Sequence, residues 1–166
     1  SKEDDEIGIL KKYTDLSMSV KGKSIDLLVW PETMMPGLLN IDPELTGRKI
    51  DVLSQLTPIQ LAQTLNTNLL LGGIALTLVG EEQMYFNSAY YYNKAGKFVD
   101  RYDKIHLVPF GEFTPLKKHF PFLASLVPYE IGLTQGHRRT LFRLDTTHHG
   151  SFVFGASICY EDTVPS

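Results

Sequence analysis

The chain has 166 residues, 43% apolar and 21% charged, the usage of an ordinary globular domain large enough to bury a core without disulfide or metal staples. Lysine and arginine total 16 against 19 acidic residues, for a net charge of −3; the basic residues are scattered and their densest patch is only His137-Arg138-Arg139, which argues against nucleic acid as a partner. A single cysteine, Cys159, excludes an intrachain disulfide and a cysteine-rich zinc site.

Along the chain, Ile7, Leu10, Tyr13, Leu16 and Val20 recur at helical spacing with charges between them, predicting a first helix. Residues 24–30, ending Leu-Val-Trp, read as a short buried strand stopped by Pro31, with Trp30-Pro31-Glu32-Thr33 at its C-terminal mouth. A helical period returns over 45–65, with Pro58 near an internal boundary. The run 69–78 is almost wholly apolar, as in a strand covered on both faces. Residues 85–92 and 98–102 then form strands around the turn Asn93-Lys94-Ala95-Gly96-Lys97. Pro109, Gly111 and Pro115 mark 103–115 as an ordered loop of the kind that carries sites. A short helix near 116–126 and two more strands, 140–144 and 152–158, complete the pattern. Helices alternating with buried strands predict α/β layers.

The longest apolar stretch, 68–79, falls well short of the ~20 residues that span a bilayer. The polar, acidic start has no signal-peptide character, so the chain as it stands reads as soluble. Both ends look cut: the first helix opens abruptly and the chain stops soon after Cys159.

Cys159 follows an apolar strand and precedes Tyr160-Glu161-Asp162. There it is either a nucleophile served by nearby backbone N–H groups or a small buried hydrophobe, the commonest fate of a free cysteine. Gly155-Ala156-Ser157-Ile158-Cys159 lacks the last glycine of a serine-hydrolase elbow, so Ser157 is rejected as nucleophile. Glu32 is either a solvated loop carboxylate or, half out of water at a strand end, a group able to take a thiol proton. Lys104, before apolar Ile105, Leu107 and Val108, is either a surface lysine paired with Asp103 or an ammonium facing a developing oxyanion. Glu112 shares its loop and is a candidate to orient it. Phe110, Phe113, Phe120 and Phe122 suit either a core or a lipid-facing surface. His106 reads as a hydrogen-bonded structural residue; adjacent His148 and His149 diverge, and no metal is assigned.

Together these residues resemble the carbon–nitrogen hydrolase (nitrilase) superfamily, whose signature is a glutamate, a lysine and a cysteine in that order, each at a strand end. The matches are Trp30-Pro31-Glu32-Thr33, Tyr102-Asp103-Lys104-Ile105-His106-Leu107 and Ile158-Cys159-Tyr160-Glu161. Within the superfamily, His106-Leu-Val-Pro-Phe-Gly-Glu112-Phe113 and Ile158-Cys-Tyr-Glu-Asp162 are similar to the apolipoprotein N-acyltransferase branch. The likeness runs from about Ile7 to Asp162.

The resemblance implies a partial α-β-β-α sandwich, one incomplete α/β half, with residues 1–166 a domain truncated at both ends. The membrane-spanning helices that tie the branch to the bacterial cytoplasmic membrane, with this domain on its periplasmic face, are missing from this stretch. It further implies ping-pong acyl transfer without metal or organic cofactor. Glu32 is the general base and Cys159 the nucleophile. Lys104 and the Tyr160 backbone N–H hold the oxyanion, with Glu112 and Glu161 positioning Lys104 and the amine. The donor is a phospholipid and the acceptor an apolipoprotein whose N-terminal cysteine carries diacylglycerol. Two alternatives stand beside it: a soluble amidase or nitrilase using the same three residues, and a catalytically silent binding domain. An isolated fragment of this kind is expected to be inactive.

Overall fold

The computed structural model describes residues 2–109, 112 and 132–163. Helix α1 (Lys2–Met18) leads into β1 (Leu27–Met35), a short α2 (Pro43–Thr46) and a long α3 (Lys49–Leu65). Strands β2 (Asn68–Val79), β3 (Glu82–Tyr92) and β4 (Phe98–Asp103) follow, and a second hairpin is formed by β5 (Leu141–Asp145) and β6 (Ser151–Gly155). The expected helix near 116–126 and the four phenylalanines 110, 113, 120 and 122 lie outside the described residues.

The first four strands form one sheet in sequential order; β1 runs parallel to β2, and β2, β3 and β4 are antiparallel neighbours. Helices α1 and α3 pack on each other. Their core with one sheet face contains Leu10, Ile50, Leu61 and Ala62 from the helices and Trp30, Leu69, Leu71 and Tyr90 from the strands. The opposite face carries Ala89, Tyr91 and Tyr102, covered by Phe142 and by Ile158, just beyond β6. The β5–β6 hairpin thus adds a β layer to the expected α/β half. Strand alternation explains the tyrosine run: Tyr90 and Tyr92 enter the helix-side core and Tyr91 the hairpin side. Tyr91 Oη donates to the Arg143 carbonyl across the layers (3.0 Å).

Two local readings change. The break in the 45–65 helical period falls at Gly47, not Pro58. Asp42 caps α2 by accepting from the Glu44 N–H, and Gly47 ends it at φ +64°, where a side chain would be strained. Pro58 lies fully buried within α3. In α1, Leu16 points outward while Ser17 is buried, because the Ser17 hydroxyl accepts from the Trp30 indole N–H at 2.9 Å and donates to the Tyr13 carbonyl. No helix among the described residues is long and apolar enough to cross a membrane.

Candidate active site

Glu32 sits on a break in strand pairing. Trp30 pairs with Leu71, but pairing resumes only at Met35 with Gly73, so residues 31–34 bulge where the partner strand has Gly72 alone. Thr33 takes φ +54° within this bulge, and the bulge re-aims the Glu32 carboxylate. Gly72 makes room for it: a Cβ there would lie 2.3 Å from the Pro31 carbonyl oxygen and 2.8 Å from Glu32 Cα. The bulge replaces the clean stop expected at Pro31.

Lys104 directly follows β4. Its backbone N–H donates to the Asn87 carbonyl (2.8 Å), and its carbonyl accepts from Gly136 (2.8 Å). The side chain is 0% exposed. Nζ donates to Glu112 Oε1 at 2.7 Å and reaches Glu32 Oε1 at 3.5 Å. Asp103 does not pair with Lys104; it accepts from Ser88 Oγ (2.6 Å) and from Arg101 Nε (2.7 Å). Burial alone would push the Lys104 ammonium toward losing its proton. The hydrogen bond and charge of Glu112, with the charge of Glu32 behind them, outweigh this and hold its pKa above the ordinary lysine value.

Glu112 is itself fixed. Its Oε2 accepts from the Val108 N–H (2.8 Å), its own N–H donates to the Val108 carbonyl (2.9 Å), and its carbonyl accepts from Leu133 (2.8 Å).

Cys159 lies past the second hairpin, separated from it by residues 156–158, rather than directly at the end of the expected strand 152–158. β6 ends at Gly155, and Cys159 opens a single 3₁₀ turn, Cys159–Thr163, with φ +54° and an exposed side chain. An L-residue adopts that backbone only when its surroundings impose it, as at a sharp functional turn. The exposure disposes of the buried-hydrophobe reading. Ser157, Cys159 and Glu32 line one open cleft of about 190 Å³ together with Leu70, Gly72 and Ala89. Glu32, Lys104, Glu112 and Cys159 are therefore brought together, although they come from a bulge, a strand end, a loop and a turn. Tyr160 beside them is exposed.

Glu161 has a different place. At 8% exposure it is buried. Oε1 accepts from Tyr102 Oη (2.7 Å) and from the backbone N–H groups of Ile105 (2.7 Å) and His106 (2.9 Å), while Oε2 accepts from the Ile158 N–H (2.9 Å). These bonds tie the segment after Lys104 to the residue before Cys159. Burial alone would raise the Glu161 pKa, but the backbone N–H groups and Tyr102 stabilise the carboxylate and hold it below the ordinary range. The Tyr102 phenol is pushed up by burial and by this neighbour. His106 is exposed, and it is its backbone, not the predicted side chain, that is tied in.

Asn87, Gly72 and Tyr102 escaped the sequence reading. An asparagine and a serine inside the otherwise apolar and aromatic stretch of β3, Phe86-Asn87-Ser88-Ala89, were the available signal, since a buried amide needs a partner. Among the described residues no group of three or more His, Cys, Asp or Glu side chains is disposed to hold a metal.

The sequence profile of the carbon–nitrogen hydrolase family matches residues 2–166. The chain belongs to this family. Among curated relatives, the apolipoprotein N-acyltransferase of Bdellovibrio bacteriovorus is 34% identical over 166 residues, covering 95% of this chain and 29% of the relative. That of Geobacter metallireducens is 35% identical over 140 residues, covering 84% and 24%. The chain therefore spans less than a third of these relatives' length. Solved structures agree on the fold. XC1258 of Xanthomonas campestris, a CN-hydrolase superfamily protein, aligns with TM-score 0.59 and 18% identity over 96% of this chain and 49% of its own. Saccharomyces cerevisiae Nit3, of branch 10 of the nitrilase superfamily, gives 0.58 and 20% over 96% and 52%. The α/β, nitrilase-type fold expected from the sequence is the one found.

Proposed function

We propose that this chain is the catalytic domain, present in part, of an apolipoprotein N-acyltransferase of the bacterial cytoplasmic membrane, acting on the periplasmic side. The observation that carries the chemistry is the fully buried Lys104 ammonium, held between Glu112 and Glu32 and beside the exposed Cys159. The names and identities of the curated relatives support the substrate class.

In the first half-reaction Glu32 removes the Cys159 thiol proton. A free thiol near pKa 8.5 is only a few per cent thiolate at neutral pH, so a neighbouring acceptor supplies needed activation. The thiolate attacks the acyl ester of a phospholipid, and the tetrahedral oxyanion is met by the Lys104 ammonium and the Tyr160 backbone N–H. Collapse breaks the ester C–O bond. The proton on Glu32 passes to the departing lysophospholipid alkoxide, leaving a thioester on Cys159.

In the second half-reaction the α-amine of a diacylglyceryl-cysteine attacks the thioester carbonyl and Glu32 accepts a proton from it. The C–S bond then breaks, the thiolate regains the proton and the acyl chain leaves as an amide. Glu112 keeps Lys104 charged and aimed, and no step calls on a metal or organic cofactor.

The test is the intact mass of the full-length protein after incubation with phospholipid, followed by adduct mapping. A hydroxylamine-labile acyl group on Cys159 is expected. An unmodified protein that releases ammonia from simple amides would overturn the acyl-transfer reading in favour of an amidase.

A further inference from the structure

Asn87 lies in the middle of β3 and is 2% exposed. It touches two members of the cluster at once. Its side-chain Nδ2 donates to Glu32 Oε1 at 2.6 Å, and its backbone carbonyl accepts from Lys104 N at 2.8 Å. Its Oδ1, in contrast, is buried with no hydrogen-bond partner, alone in this among the described side chains. Turning the amide over would set Oδ1 against the Glu32 carboxylate, acceptor against acceptor, so Glu32 alone fixes the orientation. An orphaned buried acceptor destabilises a fold. The hydrogen bond of this side chain therefore serves Glu32 while its other end weakens the strand it sits in.

We infer that Asn87 is a positioning residue for the general base: with Lys104 it occupies Oε1 of Glu32, leaving Oε2 as the oxygen that exchanges the proton with Cys159 and with the incoming amine. The inference rests on the acyl-transfer reading above. It also makes a claim that an ordinary structural residue would not satisfy, because loss of the side chain should weaken the reaction without weakening the fold.

The experiment compares the full-length protein with its Asn87→Leu and Asn87→Asp variants. Three quantities are measured: melting temperature, the single-turnover rate of thioester formation with phospholipid, and the rate of Cys159 alkylation by iodoacetamide. Leucine has a similar volume and removes both the donor and the orphaned acceptor. Asn87→Leu should melt at or above the temperature of the unmodified protein, while thioester formation falls about tenfold or more and alkylation slows. Asn87→Asp sets two carboxylates together and should be slow at neutral pH. It should recover part of the rate in mild acid, where the new carboxyl can carry a proton and donate to Glu32. Lys104, Glu112 and Cys159, the other titratable groups around Glu32, are the same in every protein compared.

Parallel loss of stability and rate in Asn87→Leu, with no recovery of Asn87→Asp in acid, would overturn the proposal, as would unchanged rates in both variants. If the unmodified protein forms no thioester, the acyl-transfer reading fails. Slower alkylation in Asn87→Leu at full stability would then still support the positioning role, and unchanged alkylation would overturn that as well.

Discussion

Replacing Glu161 by Gln tests whether the segment after Lys104 and the turn carrying Cys159 are held as one unit. The carboxylate now meets donors at two corners: Tyr102 Oη, Ile105 N and His106 N at Oε1, and Ile158 N at Oε2. An amide has only one oxygen. If that oxygen serves the three-donor corner, the amide N–H₂ faces the Ile158 N–H, and a buried donor without a partner costs about 1–3 kcal/mol. The three remaining bonds change from charge-assisted to neutral and weaken by roughly half, partly offset because a charge is no longer buried. The expected loss of stability is about 2–4 kcal/mol, read from the denaturant midpoint of the full-length protein.

Because Ile158 immediately precedes the nucleophile, thioester formation should fall about tenfold or more at the same time. The pH dependence has a definite sign. A carboxyl held below its ordinary value contributes its full stability above about pH 4.3 and loses it as the pH falls through the lowered value. The stability gap between Glu161→Gln and the unmodified protein should therefore be widest near neutrality and close in acid. A Gln variant with an unchanged midpoint and rate would refute the reasoning, since the four donors would then not depend on a carboxylate.

The other perturbations act closer to the chemistry. Cys159→Ala should abolish the acyl adduct in the mass measurement, and near-normal turnover in that variant would remove the nucleophile. Lys104→Met leaves Glu32 and Glu112 without their shared cation. Since both carboxylates keep some water, the stability loss should lie at the low end of that for breaking a buried ion pair, about 3 kcal/mol, seen as a lowered denaturant midpoint together with lost activity. Gly72→Ala drives a methyl into the Pro31 carbonyl and should cost about 1–3 kcal/mol while displacing Glu32, so its acylation rate should fall further than that of an equally destabilised variant remote from the bulge. Ser157→Ala, although in the same cleft, should leave thioester formation within about twofold in the same single-turnover assay.

What the sequence made legible and what it hid divide along a physical line. Patterns set by local periodicity were readable: the two-sided strand 69–78, found as Asn68–Val79, the Asn93–Lys97 turn closed by Asn93 Oδ1 on the Ala95 and Lys97 N–H groups, and the helical runs. The candidate residues Glu32, Lys104 and Cys159 were legible from their own surroundings only as open alternatives, and Glu112 only as sharing the loop of Lys104; it was the resemblance to a family signature that put them in one order. What periodicity cannot report is how an irregular backbone aims a side chain. The bulge at 31–34 exists because Gly72, forty positions away, lacks a side chain, and the left-handed turn at Cys159 is anchored by Glu161 to N–H groups in another segment. Asn87 was hidden for a related reason. Alternation assigns it a face of β3, but only the folded chain shows that the face holds a carboxylate rather than another apolar residue.

This division bears on how the site works. Each group in the cluster sits where regular pairing fails, and each is held by an explicit partner: Glu32 by Asn87 and Lys104 from β3 and the end of β4, Lys104 by Glu112 of the loop that follows it, and the Cys159 turn by Glu161, which reaches across to Ile105 and His106. A regular strand or helix would already have its polar backbone satisfied and its side chains committed to a fixed alternation. Irregular backbone leaves N–H groups free to be directed, at the expense of needing explicit anchors, and the buried carboxylate and ammonium supply them through charge-assisted bonds stronger than neutral ones. Loss of a single anchor should consequently misplace a reacting group while leaving most of the sheet and helix core intact, which is why activity is expected to fall without stability at Asn87 and further than the stability loss explains at Gly72, while the largest joint losses are expected at Glu161 and Lys104, where the anchor is itself a buried charge.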